Sequence, residues 1–170
     1  ALNAWHEVFN NDFWVLDSVT ELASLSKSAF EQDTVTFSNT EEHIENEVID
    51  VNETYEVEIG CEASGNGFRT APISMYIDMV LKKFLPHNLN LKFYIKECNA
   101  PRPYDIWWKI RNIGPKAEEK NCIRGNLLKT NLPERKESTS FFGPHYVECY
   151  IIKNDVCVAI GHIDVPIGHQ

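Results

Sequence analysis

Between Tyr55 and Ile167, six runs of the chain place apolar side chains at every second residue. That period of two dictates strands with one buried face and one face turned away from the core. Tyr104 to Arg111 is the clearest run, with Ile106, Trp108 and Ile110 on one face and Trp107, Lys109 and Arg111 on the other. Leu91 to Glu97 repeats the pattern, setting Leu91, Phe93 and Ile95 opposite Lys92, Tyr94 and Lys96. Tyr55 to Ile59, Cys122 to Lys129, His145 to Lys153 and Val156 to Ile167 complete the set, and Leu132 to Lys136 reads as a separator before the last hairpin. Ser64-Gly65-Asn66-Gly67 and Asn112-Ile113-Gly114-Pro115 are turn sequences. Asn154-Asp155 suits a tight hairpin because both residues tolerate positive φ. Connections this short argue against the crossovers of a parallel, doubly wound sheet. One helix lies among the strands, capped by Ser74 and stopped by Pro86, with Ile77, Val80, Leu81 and Phe84 on one face. The expected fold is mainly β: an antiparallel, immunoglobulin-like β-sandwich with one packed helix and a helical N-terminal segment.

Upstream of Tyr55 the period changes. Trp5, Val8 and Phe9 fall at helical spacing, and Val19, Leu22, Ala23, Leu25 and Phe30 recur at three- and four-residue intervals. Residues 31–53 are polar and acidic, with Ile44 and Val48 keeping an i, i+4 pair. The expected division is therefore a helical, acidic leader and connector over residues 1–53 and a sandwich over residues 54–170. Charge divides in the same way: residues 1–60 carry 14 Asp and Glu against one Lys, Lys27, a net of −13, while residues 61–170 carry 11 against 15 Lys and Arg, a net of +4. The chain begins at Ala1, so a preceding Met or a longer parent protein is expected. No run approaches the roughly 18 apolar residues of a membrane span, and the amino terminus has no signal-peptide pattern, so a soluble, cytoplasmic domain without membrane contact is expected. The five cysteines, an odd count without a C-x-x-C pair, fit neither a disulfide framework nor a zinc site.

Chemistry is sparse. The chain has no Gly-rich phosphate loop, no G-x-S-x-G elbow, no His-Glu-x-x-His, and no carboxylate pair for two-metal nucleotidyl transfer. No catalytic residue, metal ligand or cofactor is assigned on that basis, and a binding module rather than an enzyme is expected. If Leu91–Glu97 pairs with Tyr104–Arg111, then Lys92, Tyr94, Lys96, Trp107, Lys109 and Arg111 share one outward surface. Aromatic planes for bases and cations for phosphates are what an oligonucleotide or cyclic nucleotide needs. The same residues also fit a solvated sheet face with snorkelling lysines, or a face covered by the helix.

Several separated motifs resemble one family. Asn66-Gly67-Phe68-Arg69, Leu91-Lys92-Phe93-Tyr94-Ile95, Trp108-Lys109-Ile110-Arg111-Asn112-Ile113-Gly114, Ile123-Arg124-Gly125, Gly143 to Ile151 and Val156-Cys157-Val158-Ala159 are similar, in this order, to the adenylyl/guanylyl cyclase and SMODS C-terminal sensor family. The family pattern is departed from at Ile160-Gly161-His162, where Arg-Asp is frequent. The resemblance implies a β-rich sensor for a nucleotide-type ligand that regulates an attached nucleotidyltransferase or effector of a bacterial antiphage system. On the matched positions it implies Arg124 as a phosphate contact, His145 and Tyr146 as ligand-facing groups, and Arg69 as a further phosphate candidate. Internal pairing of Arg124 with Glu148, a structural His145 and a core Tyr146 stand beside these, and Asn112 and Gly114 read as a turn. Two other functions remain open: an assembly module anchored by Trp107 and Tyr94, homo-oligomers included, and a hydrolase using His145 and Glu148.

Overall fold

The computed structural model of the protein describes residues 41–80, 84–140 and 142–168. The helices expected over residues 1–9 and 18–30 lie outside the described residues. The chain divides into two units between Thr36 and Phe37, and every described residue belongs to the second.

Nine strands form among the described residues: β1 (Asp50–Val51), β2 (Val57–Gly65), β3 (Phe68–Pro72), β4 (Asn90–Cys98), β5 (Asp105–Asn112), β6 (Arg124–Lys129), β7 (Glu134–Ser138), β8 (Gly143–Lys153) and β9 (Val156–Ile167). They form two sheets, ordered β3-β2-β4-β7 and β1-β9-β8-β5-β6. Pairing is antiparallel except where β1 adds to β9 in parallel, Asp50 opposite Val156 and Val51 opposite Cys157. The expected hairpin between β8 and β9 forms, with Asn154 at φ 53° and Asp155 at φ 59°. Strand β7 occupies the segment read as a separator; its Glu134-Arg135-Lys136-Glu137-Ser138 sequence offers no apolar alternation, because it is an edge strand with one neighbour, β4.

The two sheets bury their apolar faces against each other. Ile59, Cys61, Leu91 and Phe93 of one meet Ile106, Trp108, Ile110, Val147, Cys149 and Ile151 of the other in one cluster. Trp108 is fully buried at its centre, and its indole N–H donates to the Leu132 carbonyl at 2.9 Å, so burying this large ring leaves no donor unsatisfied. The helix begins earlier than expected, and residues 81–83 of its expected span lie outside the described residues. Helix α1 (Ile73–Met75) continues into a wider π-helical turn over Tyr76–Val80. Pro72, not Ser74, precedes it, and no side chain caps it. The register is set by Ile73 and Tyr76, which are buried; the Tyr76 hydroxyl donates to the Arg69 carbonyl and its ring meets Phe68 edge-on, 5.2 Å between centroids. A second short helix, α2 (Pro115–Glu119), follows β5.

Residues 41–51, within the expected acidic connector, pack on the five-stranded sheet. A 3-10 turn at Ile44–Asn46 lies on the outer face of the five-stranded sheet and strand β1 forms the sheet's edge; Ile44, Trp107, Leu127, Tyr150, Ile152 and Cys157 form a second buried cluster there, with Val48 and Val51 packed against it. All five cysteines are free thiols, and burial raises Cys61 to about 12 and Cys157 to about 11.

Trp108→Ala is expected to cost about 3–5 kcal/mol through the cavity it leaves, a large share of the ~5–15 kcal/mol that holds a domain of this size together. Urea denaturation followed by circular dichroism checks this; a loss below about 1 kcal/mol would contradict a central role for the ring.

Candidate functional site

The surface expected from β4 and β5 divides in two. The inward faces are as read, but β4 sits between β2 and β7 while β5 sits between β8 and β6, so the strands face each other across the core instead of pairing. The loop between them holds Pro101 and Pro103, which lack the N–H a hairpin ladder would use, and it carries the chain from one sheet to the other. Lys92, Tyr94 and Lys96 therefore point outward from one sheet, and Trp107, Lys109 and Arg111 outward from the other.

Neither half is an open basic face. Lys92 pairs with Glu134 at 2.7 Å and Lys96 with Glu58 at 2.6 Å, both across solvated strands. Tyr94 lies over Gly60 so closely that a Cβ there would stand 2.7 Å from its ring. On the other sheet the acidic strap of residues 41–51 covers the cations. Glu41 accepts from Lys109 Nζ at 2.7 Å and from the Tyr146 hydroxyl at 3.0 Å, and lies 3.4 Å from Arg111 Nη2. Burial pushes the Glu41 carboxyl up, but the hydrogen bonds from Lys109 and Tyr146 and the charges of Lys109 and Arg111 outweigh it and hold it below its usual value. Burial, and then the bond to Glu41, raises the Tyr146 phenol. Glu42 accepts from Asn126 Nδ2 at 3.0 Å and the Leu127 N–H at 2.7 Å, closing the free edge of β6, and Glu47 pairs with Lys129 at 2.9 Å. Trp107 is buried beneath Ile44 with the Lys129 ammonium 4.3 Å from its ring, so it is no exposed interface anchor.

The candidate binding site lies instead between the sheets. A cavity of about 250 Å³ opens at one end of the sandwich, with Leu91, Phe93, Ile110, Val147, Val165 and Ile167 as its apolar floor and Asn112, Cys122, Arg124, Glu137, Ser138, Ser140 and His145 as its polar wall. Arg124 is placed by a break in the β5–β6 register between Lys109 and Arg111. Its backbone is left-handed, φ 62°, and Gly125 follows at φ 103°. Its guanidinium makes a bidentate pair with Glu137, at 2.7 and 3.1 Å, which Arg135 Nε also holds at 2.8 Å. Asn112 donates through Nδ2 to the Cys122 carbonyl at 2.5 Å, which fixes its amide; its Oδ1 then accepts from His145 Nδ1 at 2.7 Å, so the His145 proton sits on Nδ1.

Of the ligand-binding candidates read from the sequence, only Arg124 and His145 line this cavity. Tyr146, next along β8, faces the other way, its ring 5.1 Å from that of His162. Arg69 stands exposed on β3 and is not in the cavity wall. The internal partner of Arg124 is Glu137 rather than Glu148; Glu148 accepts from the Tyr150 hydroxyl at 2.6 Å and sits 3.7 Å from Lys109. Because His145 and Glu148 are three apart on one strand they occupy opposite faces, so they form no catalytic pair. Glu137 and Asn112 were not legible as site residues: one lies in a strand without apolar pattern, the other reads as a turn. Among the described residues no group of three or more His, Cys, Asp or Glu is arranged to hold a metal ion, and no helix is long and apolar enough to cross a membrane.

Two predictions follow from these contacts. A double-mutant cycle on Arg124→Ala and Glu137→Ala, read from urea midpoints, is expected to give a coupling of about 1–3 kcal/mol; a value under about 0.3 kcal/mol would mean the pair contributes nothing. For Glu41 the folded pKa lies below its ordinary 4.5, so its stabilisation is complete above that pH and is lost as the pH falls below it. Wild type should therefore exceed Glu41→Gln in stability at neutral pH, and the gap should close in acid; a gap constant across pH would contradict the ion cluster.

Two comparisons with known proteins bear on identity. No curated protein matches the chain. The family model described as the Adenylyl/Guanylyl and SMODS C-terminal sensor domain matches residues 38–168, a span that contains both sheets, the strap and every residue of the cavity wall. On that match the chain belongs to the Adenylyl/Guanylyl and SMODS C-terminal sensor domain family.

Proposed function

We propose that this domain is a non-catalytic, cytoplasmic sensor that binds a nucleotide-type ligand, a cyclic or linear oligonucleotide second messenger, and regulates an attached nucleotidyltransferase or effector in bacterial antiphage defence. The observation that carries the reading is the inter-sheet cavity, whose apolar floor suits a ring and whose Arg124 belongs to the motif Ile123-Arg124-Gly125. At about 250 Å³ it is smaller than the ~300–1,000 Å³ of a site that encloses a whole drug-sized ligand. One ring of a larger ligand enters and the remainder stays outside. The strand order supports the finer reading of an immunoglobulin-like sandwich, with β2, β4 and β7 packed on β6, β5, β8 and β9.

The route from ligand to partner runs through one residue. Gly125 follows Arg124, and its carbonyl accepts from the Glu42 N–H at 3.1 Å. A Cβ at Gly125 would stand 3.3 Å from the Glu41 Cα, so strap and cavity edge touch backbone to backbone. A ligand that draws Arg124 away from Glu137 turns the adjoining peptide and shifts the hold of β6 on the strap, which leads back toward residues 1–40. It biases the partner only by binding one of the two arrangements better.

Thermal unfolding against linear and cyclic mono-, di- and trinucleotides tests this. At a hundredfold excess over Kd a cognate ligand stabilises by about 2.7 kcal/mol, a rise of roughly 5–10 °C. Arg124→Ala should reduce the rise, and Ser138→Trp, a substitution at an exposed position of the cavity mouth, should abolish it. No rise with any nucleotide would refute the sensor reading and favour an assembly module.

A further inference from the structure

We propose that the ring entering the cavity is guanine, read along its hydrogen-bonding edge by Glu137 and Arg124; this rests on the nucleotide-sensor reading and names the base. A bare phosphate is a poor fit. The polar wall sets a carboxylate beside its cation, with Glu137 within 2.7–3.1 Å of the Arg124 guanidinium, so a phosphate on Arg124 would meet a like charge at contact distance. The incoming group must instead bring adjacent donors for the carboxylate and adjacent acceptors for the guanidinium. Guanine has this pattern, N1–H and the N2 amine side by side, then O6 and N7 as the bidentate target of arginine. Adenine and cytosine place an acceptor next to the amine, and uracil flanks one donor with two acceptors, so each leaves one oxygen of Glu137 facing an acceptor.

The resting contacts are those the base would take over. Both oxygens of Glu137 accept from Arg124, and both terminal nitrogens of Arg124 donate to Glu137, so guanine can supply a hydrogen-bond partner to each charged group in place of the other. Arg135 Nε, 2.8 Å from Glu137, keeps the carboxylate anchored after Arg124 turns away. The left-handed backbone of Arg124 is costly for a residue with a Cβ and is held where the side chain must be aimed into the cavity. Leu91, Ile110 and Ile167 line the apolar floor toward the ring, and the mouth at Ser138 leaves sugar and phosphate in solvent.

Calorimetric titration of the whole chain with the 5′-monophosphates of guanosine, inosine, adenosine and uridine decides the matter. Guanosine monophosphate should bind tightest. Inosine monophosphate, which lacks only the N2 amine, should bind about tenfold or more weakly, the effect of one hydrogen bond to a charged group. Ser138→Trp should abolish binding, and Glu137→Gln should erase the preference for guanosine over inosine. Since Glu137→Gln also loosens the Arg124 pair, the wild-type series stands as a test by itself. Equal binding of guanosine and inosine monophosphates, adenosine or uridine monophosphate matching guanosine, or binding that survives Ser138→Trp would each overturn the guanine assignment. Binding of oligonucleotides with none of the four mononucleotides would also overturn it while sparing the sensor reading, and binding of neither would end both.

Discussion

A lysine and an arginine on the outer face of β5 need a counter-charge, and Glu41 supplies it. Lys109 is only 4% exposed, in a strand whose other face is the core. An ammonium at that depth without a partner would cost several kcal/mol, and removing a partner from such a pair typically costs about 3–5 kcal/mol. Cover for this face comes from residues 41–51: Glu41 neutralises the cations, Ile44 seals Trp107 and Tyr150, and β1 extends the sheet beyond β9. At least part of the acidity at the start of the chain is thus internal complement to the sandwich rather than a separate surface.

Alternation in the sequence reports which residues share a face, and it reported that well for β4 and β5, whose inward sets are those the pattern implies. It is silent on which strand lies beside which. Leu91–Glu97 and Tyr104–Arg111 have compatible patterns and a short connection, yet they belong to different sheets, because pairing is decided by where β2, β7 and β8 dock. The same blindness hid β7, whose charged sequence carries no apolar signature, and the strap, where Ile44, Val48, Ile49 and Val51 are scattered among acidic residues and follow no strand period.

The cavity was legible at two points. Arg124 and His145 stood out through motif resemblance, and the fold brings both to one wall although they come from strands on opposite sides of β5. Glu137 could not be seen, since a carboxylate among Glu134, Arg135 and Lys136 looks like any solvated edge. What distinguishes it is the third dimension: it faces inward and meets a guanidinium turned inward by a bulge. Trp107, Lys109 and Arg111 carried the strongest signal for a ligand face, and their partners turn out to be residues of this chain.

The buried thiols give the molecule two internal clocks. Cys157 lies beneath the strap, in the cluster with Ile44, whereas Cys61 lies between the sheets with Phe93 and Trp108. With thiol pKa values raised to about 11 and about 12, neither offers much thiolate at neutral pH while its cover stays in place. Peeling of residues 41–51 exposes the first without the second; only separation of the sheets exposes both. Alkylation rates at these two sulfurs therefore distinguish a loosened strap from a melted domain, with no label added to the chain.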